Sequence, residues 1–188
     1  MMKHKANDTI DPEWKMRYQK IEANALPDNV TDLIHKQWML VTAGNKDSFN
    51  PMTASWCAMG CMWDRPSLFM VIRNSRYTYR LLQQEESFTI GFLPEQYRPA
   101  LRICGTKSGR DTDKVAETGL SPLTTPLGLI SFAEARMIME CKKMFVQELD
   151  YANLTESYKA EVMHESYEKE TAKHQLFIAE ILNIWIKK

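Results

Sequence analysis

Residues 135–149 alternate apolar and polar side chains over a span that only a strand explains: Met137, Met139, Cys141 and Phe145 fall on odd positions against Arg136, Glu140, Lys142 and Glu148. A second run, His174–Ile186, places Leu176, Ile178, Leu182, Ile184 and Ile186 on one parity and predicts a closing strand. Two strands of this length leave rows of open backbone groups, so they demand a sheet around them. Candidates are present. Trp38–Ala43 ends at Gly44-Asn45, turn chemistry over Asp47–Pro51 leads into Met52–Trp56 as a hairpin, Ser67–Arg73 follows Pro66, and Ser87–Leu93 is stopped by Pro94.

Short helices fill the gaps. Asp11-Pro12-Glu13 opens one over 11–25, which Leu26-Pro27-Asp28-Asn29 breaks. Ser75 caps another to about Glu85, Pro94–Cys104 forms a third, and Asp111 or Asp113 caps a fourth that ends at Gly119. Thr155 starts a last one toward His164, and 120–134 reads as a Pro/Gly connector. The order shows no regular strand-helix alternation with Gly-rich strand ends, which argues against a doubly wound nucleotide fold. The expectation is a mainly β protein, an antiparallel sheet closed into a small barrel with peripheral helices.

Charge narrows the partners. Among 188 residues, Lys+Arg and Asp+Glu stand at 24 each, so no broad positive field draws nucleic acid or an anionic membrane, and any phosphate site must be local. The most apolar stretch, Trp56–Trp63, is far shorter than the roughly 20 residues of a spanning helix. The opening MMKHKANDTIDPEWK has no apolar signal core, so a cytoplasmic location is expected. There Cys57, Cys61, Cys104 and Cys141 are reduced thiols; no second pair with metal-ligand spacing joins Cys57 and Cys61, which read as small buried residues, and no metal site is expected. Met137, Met139 and Met144 read as core filling, and the charge-rich Glu161–Lys173 as a solvated helix face.

Three segments carry chemistry. In Asn50-Pro51-Met52-Thr53-Ala54-Ser55-Trp56 a turn enters a strand with small donors and acceptors that suit the polar rim of a flat heterocycle; a polar turn beside a core tryptophan is the alternative. Arg73-Asn74-Ser75-Arg76-Tyr77-Thr78 sets two arginines at a helix start, where free N–H groups and the dipole favour phosphate; a solvated arginine pair is the alternative. Cys104-Gly105-Thr106-Lys107-Ser108-Gly109-Arg110-Asp111-Thr112-Asp113-Lys114 offers close backbone approach and three cations without the Walker pattern, either as a ligand cradle or as a mobile basic loop.

Together, NPMTASW, RNSRYTY and CGTKSGRDTDK, in this order and spacing, resemble the flavin reductase-like family, flavoredoxin-like proteins with an FMN-binding split barrel related to the pyridoxamine-phosphate-oxidase fold. The resemblance implies an extension over 1–35 and a split-barrel domain over 36–188, a homodimer, and FMN near the dimer interface. By position it sets Thr53, Ala54, Ser55 and Trp56, with Asn50, along the ring, and Arg73, Ser75, Arg76 and Thr78 at the phosphate or ribityl chain. Ser108, Gly109, Arg110, Asp111 and Lys114 would close the site. The implied activity is hydride transfer from NAD(P)H to flavin N5, with no side-chain nucleophile.

One segment departs from that pattern. Where flavin reductases of this family carry Gly-Asp-His before the closing strand, this chain has Ala172-Lys173-His174, so only His174 matches as a nicotinamide contact. An FMN-binding electron carrier with little NAD(P)H reductase activity therefore stands beside the reductase reading. A barrel that takes another phosphorylated molecule is the third.

Overall fold

The computed structural model describes residues 11–162 and 173–188. Its main sheet is antiparallel throughout, in the order β3 (Ser48–Ala54), β2 (Met39–Asn45), β6 (Ser87–Phe92), β9 (Met137–Glu148), β10 (His174–Lys187), β5 (Arg65–Arg73) and β4 (Cys57–Met62). The fourteen residues of β10 serve three neighbours. One edge runs along β9, and the other pairs first with β5 over 174–180 and then with β1 (Tyr18–Ile21) over 184–187. A small second hairpin joins β7 (Pro122–Thr124) to β8 (Ile130–Phe132) inside the expected connector, a pair too short to leave a strand signal.

Period-two alternation sorts side chains between two cores. Met39, Val41 and Ala43 of β2, Phe88, Ile90 and Phe92 of β6, and Met137, Met139 and Cys141 of β9 share the first with Leu68, Met70, Ile72 and Phe177, all at or near zero exposure. Strands from across the whole order meet around this one cluster, so the sheet curls on itself as expected of a barrel. Each fully buried Phe or Leu there stabilises the fold by about 1.5–3 kcal/mol. Leu40 and Ile138, on the opposite parity, face the second core with Leu101, Cys104, Phe132, Trp14 and Tyr18.

Two bulges overturn the single parity expected of the long strands. Ile178 faces Phe145 and Ala179 faces Lys143, so Met144 is an extra residue on β9; Ile181 faces Cys141 and Asn183 faces Glu140, so Leu182 is an extra residue on β10. Past Met144 the faces exchange, and Phe145 is 41% exposed instead of buried. Along β10 the first core takes Phe177, Ala179 and Ile181 before the bulge and Ile184 after it, while Leu176 and Leu182 are half-buried and Ile178 is buried outside that cluster. Cys61 is exposed on edge strand β4, contrary to the buried reading, while Cys104 and Cys141 are buried.

The helices are α1 (Trp14–Arg17), α2 (Val30–Asp32, continuing into a π turn Leu33–Gln37), α3 (Tyr77–Gln84), α4 (Arg98–Thr106), α5 (Lys114–Thr118) and α6 (Glu156–Val162). The helix expected over 11–25 shrinks to four residues, because Tyr18 turns extended and β1 gains a ladder on β10 while its hydroxyl donates to Ala135 O at 2.9 Å. Residues 18–21, within the expected 1–35 extension, thus pair by main chain with β10. The α2 segment had no sequence expectation. Its exit, Trp38, adopts φ +67 under the guanidinium of Arg98, 4.2 Å from the ring centroid. Ser75 does not cap α3, whose N-cap is Arg76 without a side-chain bond. Of the two aspartates proposed for α5, Asp113 caps, accepting from Ala116 N at 3.0 Å, and Gly119 at φ +68 ends the helix. Residues 1–10, His164, Ala172 and most of the charge-rich 161–173 stretch lie outside the described residues.

Candidate functional site

The ends of β3 and β5, the start of α3 and the loop after α4 meet on one side of the barrel. They do so because β3 runs under α4, where the Thr53 hydroxyl donates to Leu101 O at 2.6 Å, and because β5 feeds directly into the turn before α3. Two adjoining cavities result. The larger, ≈ 300 Å³, is lined by Asn50, Ser75, Thr78, Ser108, Gly109 and cations from both basic segments; the smaller, ≈ 210 Å³, by Thr53, Ala54, Ser55, Trp56, Val71 and His174. Met52, Arg73 and Arg76 line both.

The larger cavity is built for negative charge. Arg73, Arg76, Lys107, Arg110 and Lys114 line it, and among the described residues no Asp or Glu does, although Lys107 is ion-paired with Glu117. The two basic segments hold each other by exchange: Arg76 Nη1 donates to Gly105 O at 3.1 Å and Arg110 Nη1 donates to Ser75 O at 3.1 Å. Arg110 also lies over the Tyr77 ring, its guanidinium carbon 5.5 Å from the centroid. Arg76, Tyr77 and Thr78, the N-cap and first residues of α3, line it too, and the helix N–H groups there add to the positive potential.

Some expected ligand groups are engaged within the protein. The Asn50 carboxamide is buried and donates to Thr78 Oγ1 at 2.7 Å and to Pro51 O at 3.1 Å, so it ties β3 to α3. Gly109 packs against it so closely that a Cβ there would lie 2.0 Å from Asn50 Oδ1, which makes glycine the residue this loop requires. Lys114 is 4% exposed and donates to Cys104 O at 2.8 Å and Pro51 O at 3.0 Å, clamping the end of α4 to β3. Burial pulls its ammonium down to about 8 from 10.5, against a smaller upward effect of Cys104. Ser108 Oγ accepts from Arg110 N at 3.2 Å and shapes the turn. Asp111 is exposed and lines neither cavity; its main chain bonds back to Ser108 O at 3.2 Å.

The smaller cavity is flatter in chemistry, with small side chains from β3 on one side and Val71 and Ile72 of β5 on the other. Trp56, 48% exposed, stacks on His174 with ring centroids 4.9 Å apart. His174 is 2% exposed, receives a hydrogen bond from Arg73 Nε at Nε2, 3.1 Å, and meets the Tyr151 hydroxyl at Nδ1. Tyr79 packs edge-on against Phe177 in the core and plays no part here. Burial pushes the thiol of Cys57, next to Trp56 in the chain, up to about 12, which makes it a poor nucleophile.

Sequence reasoning missed Met52 and the chain Tyr151–His174–Arg73. Met52 carried a signal, since it sits between two candidate residues on a strand. Tyr151 carried none, because it comes from the turn after β9 (3₁₀ Tyr151–Asn153), far from every motif. Among the described residues no cluster of His, Cys, Asp and Glu able to hold a metal occurs, and no helix is long and apolar enough to cross a membrane.

Comparison with solved structures places this architecture. An FMN-binding domain of a flavin reductases-like enzyme from Shewanella baltica superposes with a TM-score of 0.64 at 19% identity, over 90% of this chain and 76% of that one. Flavoredoxin of Desulfovibrio vulgaris gives 0.61 at 23% identity, over 86% and 75%. The NADH:FAD oxidoreductase SgcE6 of Streptomyces globisporus gives 0.60 at 13%, over 81% and 78%. At such identities the likeness is one of fold, the flavin reductase-like split barrel. No curated protein matches the sequence. The sequence model of the flavin reductase like domain matches residues 32–188, nearly the whole of the barrel and its peripheral helices, and the chain belongs to that family.

Proposed function

We propose that the protein binds FMN and uses it as an NAD(P)H-dependent oxidoreductase. The observation that carries the reading is the adjoining pair of cavities, one lined by five cations with no carboxylate among its described lining residues and one lined by small side chains, joined at Arg73 and Arg76. A phosphate-bearing flat ring fits that donor set. Arg76, Arg110 and Arg73 would hold the phosphate by charge-assisted bonds, with Ser75, Thr78 and Ser108 as neutral partners and the α3 start adding its dipole. Gly109 lets the loop main chain approach, and Lys114 supplies charge from beneath. Thr53, Ala54 and Ser55 would meet the ring's polar rim, where donors stabilise negative charge. Trp56 stacked on His174 walls the ring cavity and excludes water. When bound, FMN supplies a hydride acceptor at N5 for a reduced nicotinamide, so no protein nucleophile is required.

A specific observation favours the second reading, an FMN-binding electron carrier with little reductase activity. The one residue that matches the family's nicotinamide motif, His174, is buried and has both ring nitrogens engaged. In either role we place the protein in the cytoplasm as a homodimer, with the exposed Trp56 at the cavity rim as apolar surface that a second copy would cover.

Purified protein is expected to show flavin absorbance and to release FMN on denaturation. Another ligand in stoichiometric amount would overturn the flavin assignment. Anaerobic stopped-flow mixing with NADH and with NADPH decides between the two roles: bleaching of bound FMN supports the reductase, and failure of both nucleotides leaves the carrier. Light scattering on the eluting protein tests the dimer.

A further inference from the structure

We infer that Asn50 is a positioning residue that fixes the buried Thr78 hydroxyl as a donor to the ligand's phosphate; the inference rests on the flavin reading above. Expected along the ring, Asn50 instead lines the anion cavity, and so does Thr78. Both residues are buried, at 4% and 1% exposure. Asn50 belongs to β3 and Thr78 to the first turn of α3, so they meet only when the helix packs on the strand.

Hydrogen-bonding capacity sets the direction of the bond between them. The Asn50 carboxamide meets two oxygens, Pro51 O at 3.1 Å and Thr78 Oγ1 at 2.7 Å. A main-chain carbonyl can only accept, so the atom that faces Pro51 O must be Nδ2, which settles the orientation of the amide. Its second hydrogen then goes to Thr78 Oγ1. The threonine oxygen is therefore an acceptor toward Asn50, and its own hydrogen leaves in another direction. Among the described residues no oxygen takes that hydrogen. In a cavity lined by cations, its natural partner is an anion.

The amide is itself held. Pro51 O also accepts from Lys114 Nζ at 3.0 Å, and Lys114 donates to Cys104 O at 2.8 Å, so a chain of bonds runs from the end of α4 through Lys114, Pro51 and Asn50 to Thr78. Gly109 closes the other side, a Cβ there falling 2.0 Å from Asn50 Oδ1, and keeps the carboxamide from turning. A hydroxyl with no such neighbour is free to spend its hydrogen on a nearby main-chain oxygen and to face the phosphate with a lone pair, which a dianion repels. With Asn50 bonded, Thr78 meets the phosphate as a donor and little ordering remains to be done on binding.

The full-length protein and its variants are titrated with FMN and with riboflavin, which lacks the phosphate, and the ratio of the riboflavin to the FMN dissociation constant reads the phosphate contribution. T78V, close in shape and without the hydroxyl, is expected to reduce that ratio about tenfold or more, and T78S to keep it within about threefold. N50D puts an oxygen where Nδ2 stands, so Thr78 donates to it and is lost to the ligand. The added charge lowers the ratio in any background, and the coupling isolates the part that passes through Thr78: the fold loss from N50D is expected to be at least about fivefold smaller in a T78V background than in the parent. Equal fold losses in the two backgrounds would overturn the proposal and leave Asn50 a strut between β3 and α3. So would a T78V ratio equal to that of the parent, or T78S falling as far as T78V. Should N50D not fold, N50A takes its place, with a loss of about threefold expected in the parent and none in T78V, equal losses again counting against the proposal. A parent protein that binds neither flavin refutes the flavin reading instead, an outcome distinct from any pattern among the variants.

Discussion

Arg110 donates from Nη1 to the main-chain oxygen of Ser75 at 3.1 Å across thirty-five positions of sequence, and Arg76 returns the bond to Gly105 O. The exchange keeps two basic segments facing each other despite the mutual repulsion of their charges. Each arginine spends one donor on the clasp and presents the cavity with a fork already oriented, which lowers the ordering cost of binding an anion.

Removing one side of this clasp should be read in the ligand. R76A is expected to weaken FMN binding by about 1.5–3 kcal/mol, the range of a charge-assisted phosphate bond. Fluorescence titration checks it, with riboflavin as the control expected to lose much less. An unchanged FMN affinity would reduce Arg76 to a loop clasp.

Lys114 gives the site a pH dependence. Burial holds its ammonium down to about 8, and the protonated form is the one that favours a phosphate dianion. Affinity for FMN is therefore expected to be full between about pH 6 and pH 8, above the second phosphate pKa, and to decline as pH rises through about 8. Without ligand the sign for folding is opposite. The unfolded lysine keeps its proton up to 10.5, so across the window from about 8 to 10.5 the unfolded chain binds more protons and this residue's contribution to stability rises with pH. Titrations at about pH 7 and about pH 9 on the parent and on K114M, whose profile should be flat across this range, test the assignment.

Gly109→Ala should fail for a steric reason. The new Cβ would lie 2.0 Å from Asn50 Oδ1 and 2.8 Å from a Tyr77 ring carbon, so the loop must move or the Asn50–Thr78 bond must break. The expected cost is about 1–3 kcal/mol of stability, together with a loss of FMN affinity. Thermal unfolding and titration measure the two effects.

The β4–β5 hairpin holds a stabilising substitution in reserve. Met62 pairs with Arg65, leaving a two-residue turn of Trp63 (φ +51) and Asp64 (φ +59), both in the left-handed region that such hairpins require and that asparagine and glycine occupy at less cost. W63N/D64G is expected to raise stability by about 1–2 kcal/mol. Calorimetry checks it, and a lower melting temperature would show that Trp63, 58% exposed, contributes packing that its position conceals.

Local chemistry was legible wherever it acts over a few residues. The alternation of Met137, Met139 and Cys141, the Asp113 cap and the Gly119 stop are written in neighbouring side chains and have their expected places in the structure, and the basic segments around Arg76 and Arg110, equally visible in the sequence, line one cavity. Features that depend on pairing were not legible. A bulge at Met144 or Leu182 is a choice made against the facing strand, and no residue in either run announces it. Tyr18–Ile21 carried helix-compatible local signals, and β10 overrode them by offering a ladder and a buried slot for Tyr18.

The site divides along the same line. Which donors could meet an anion follows from residue type, because charge and hydrogen-bonding capacity belong to each side chain wherever it lies. Which of them remain available to a ligand follows from packing, because Asn50, Thr53 and Lys114 spend donors on main-chain or neighbouring oxygens that come near only once β3, α3 and α4 are assembled. Arg73 meets His174 for that reason too: a hundred and one residues apart along the chain, they are joined by strand register, a property of two backbones and of neither segment alone.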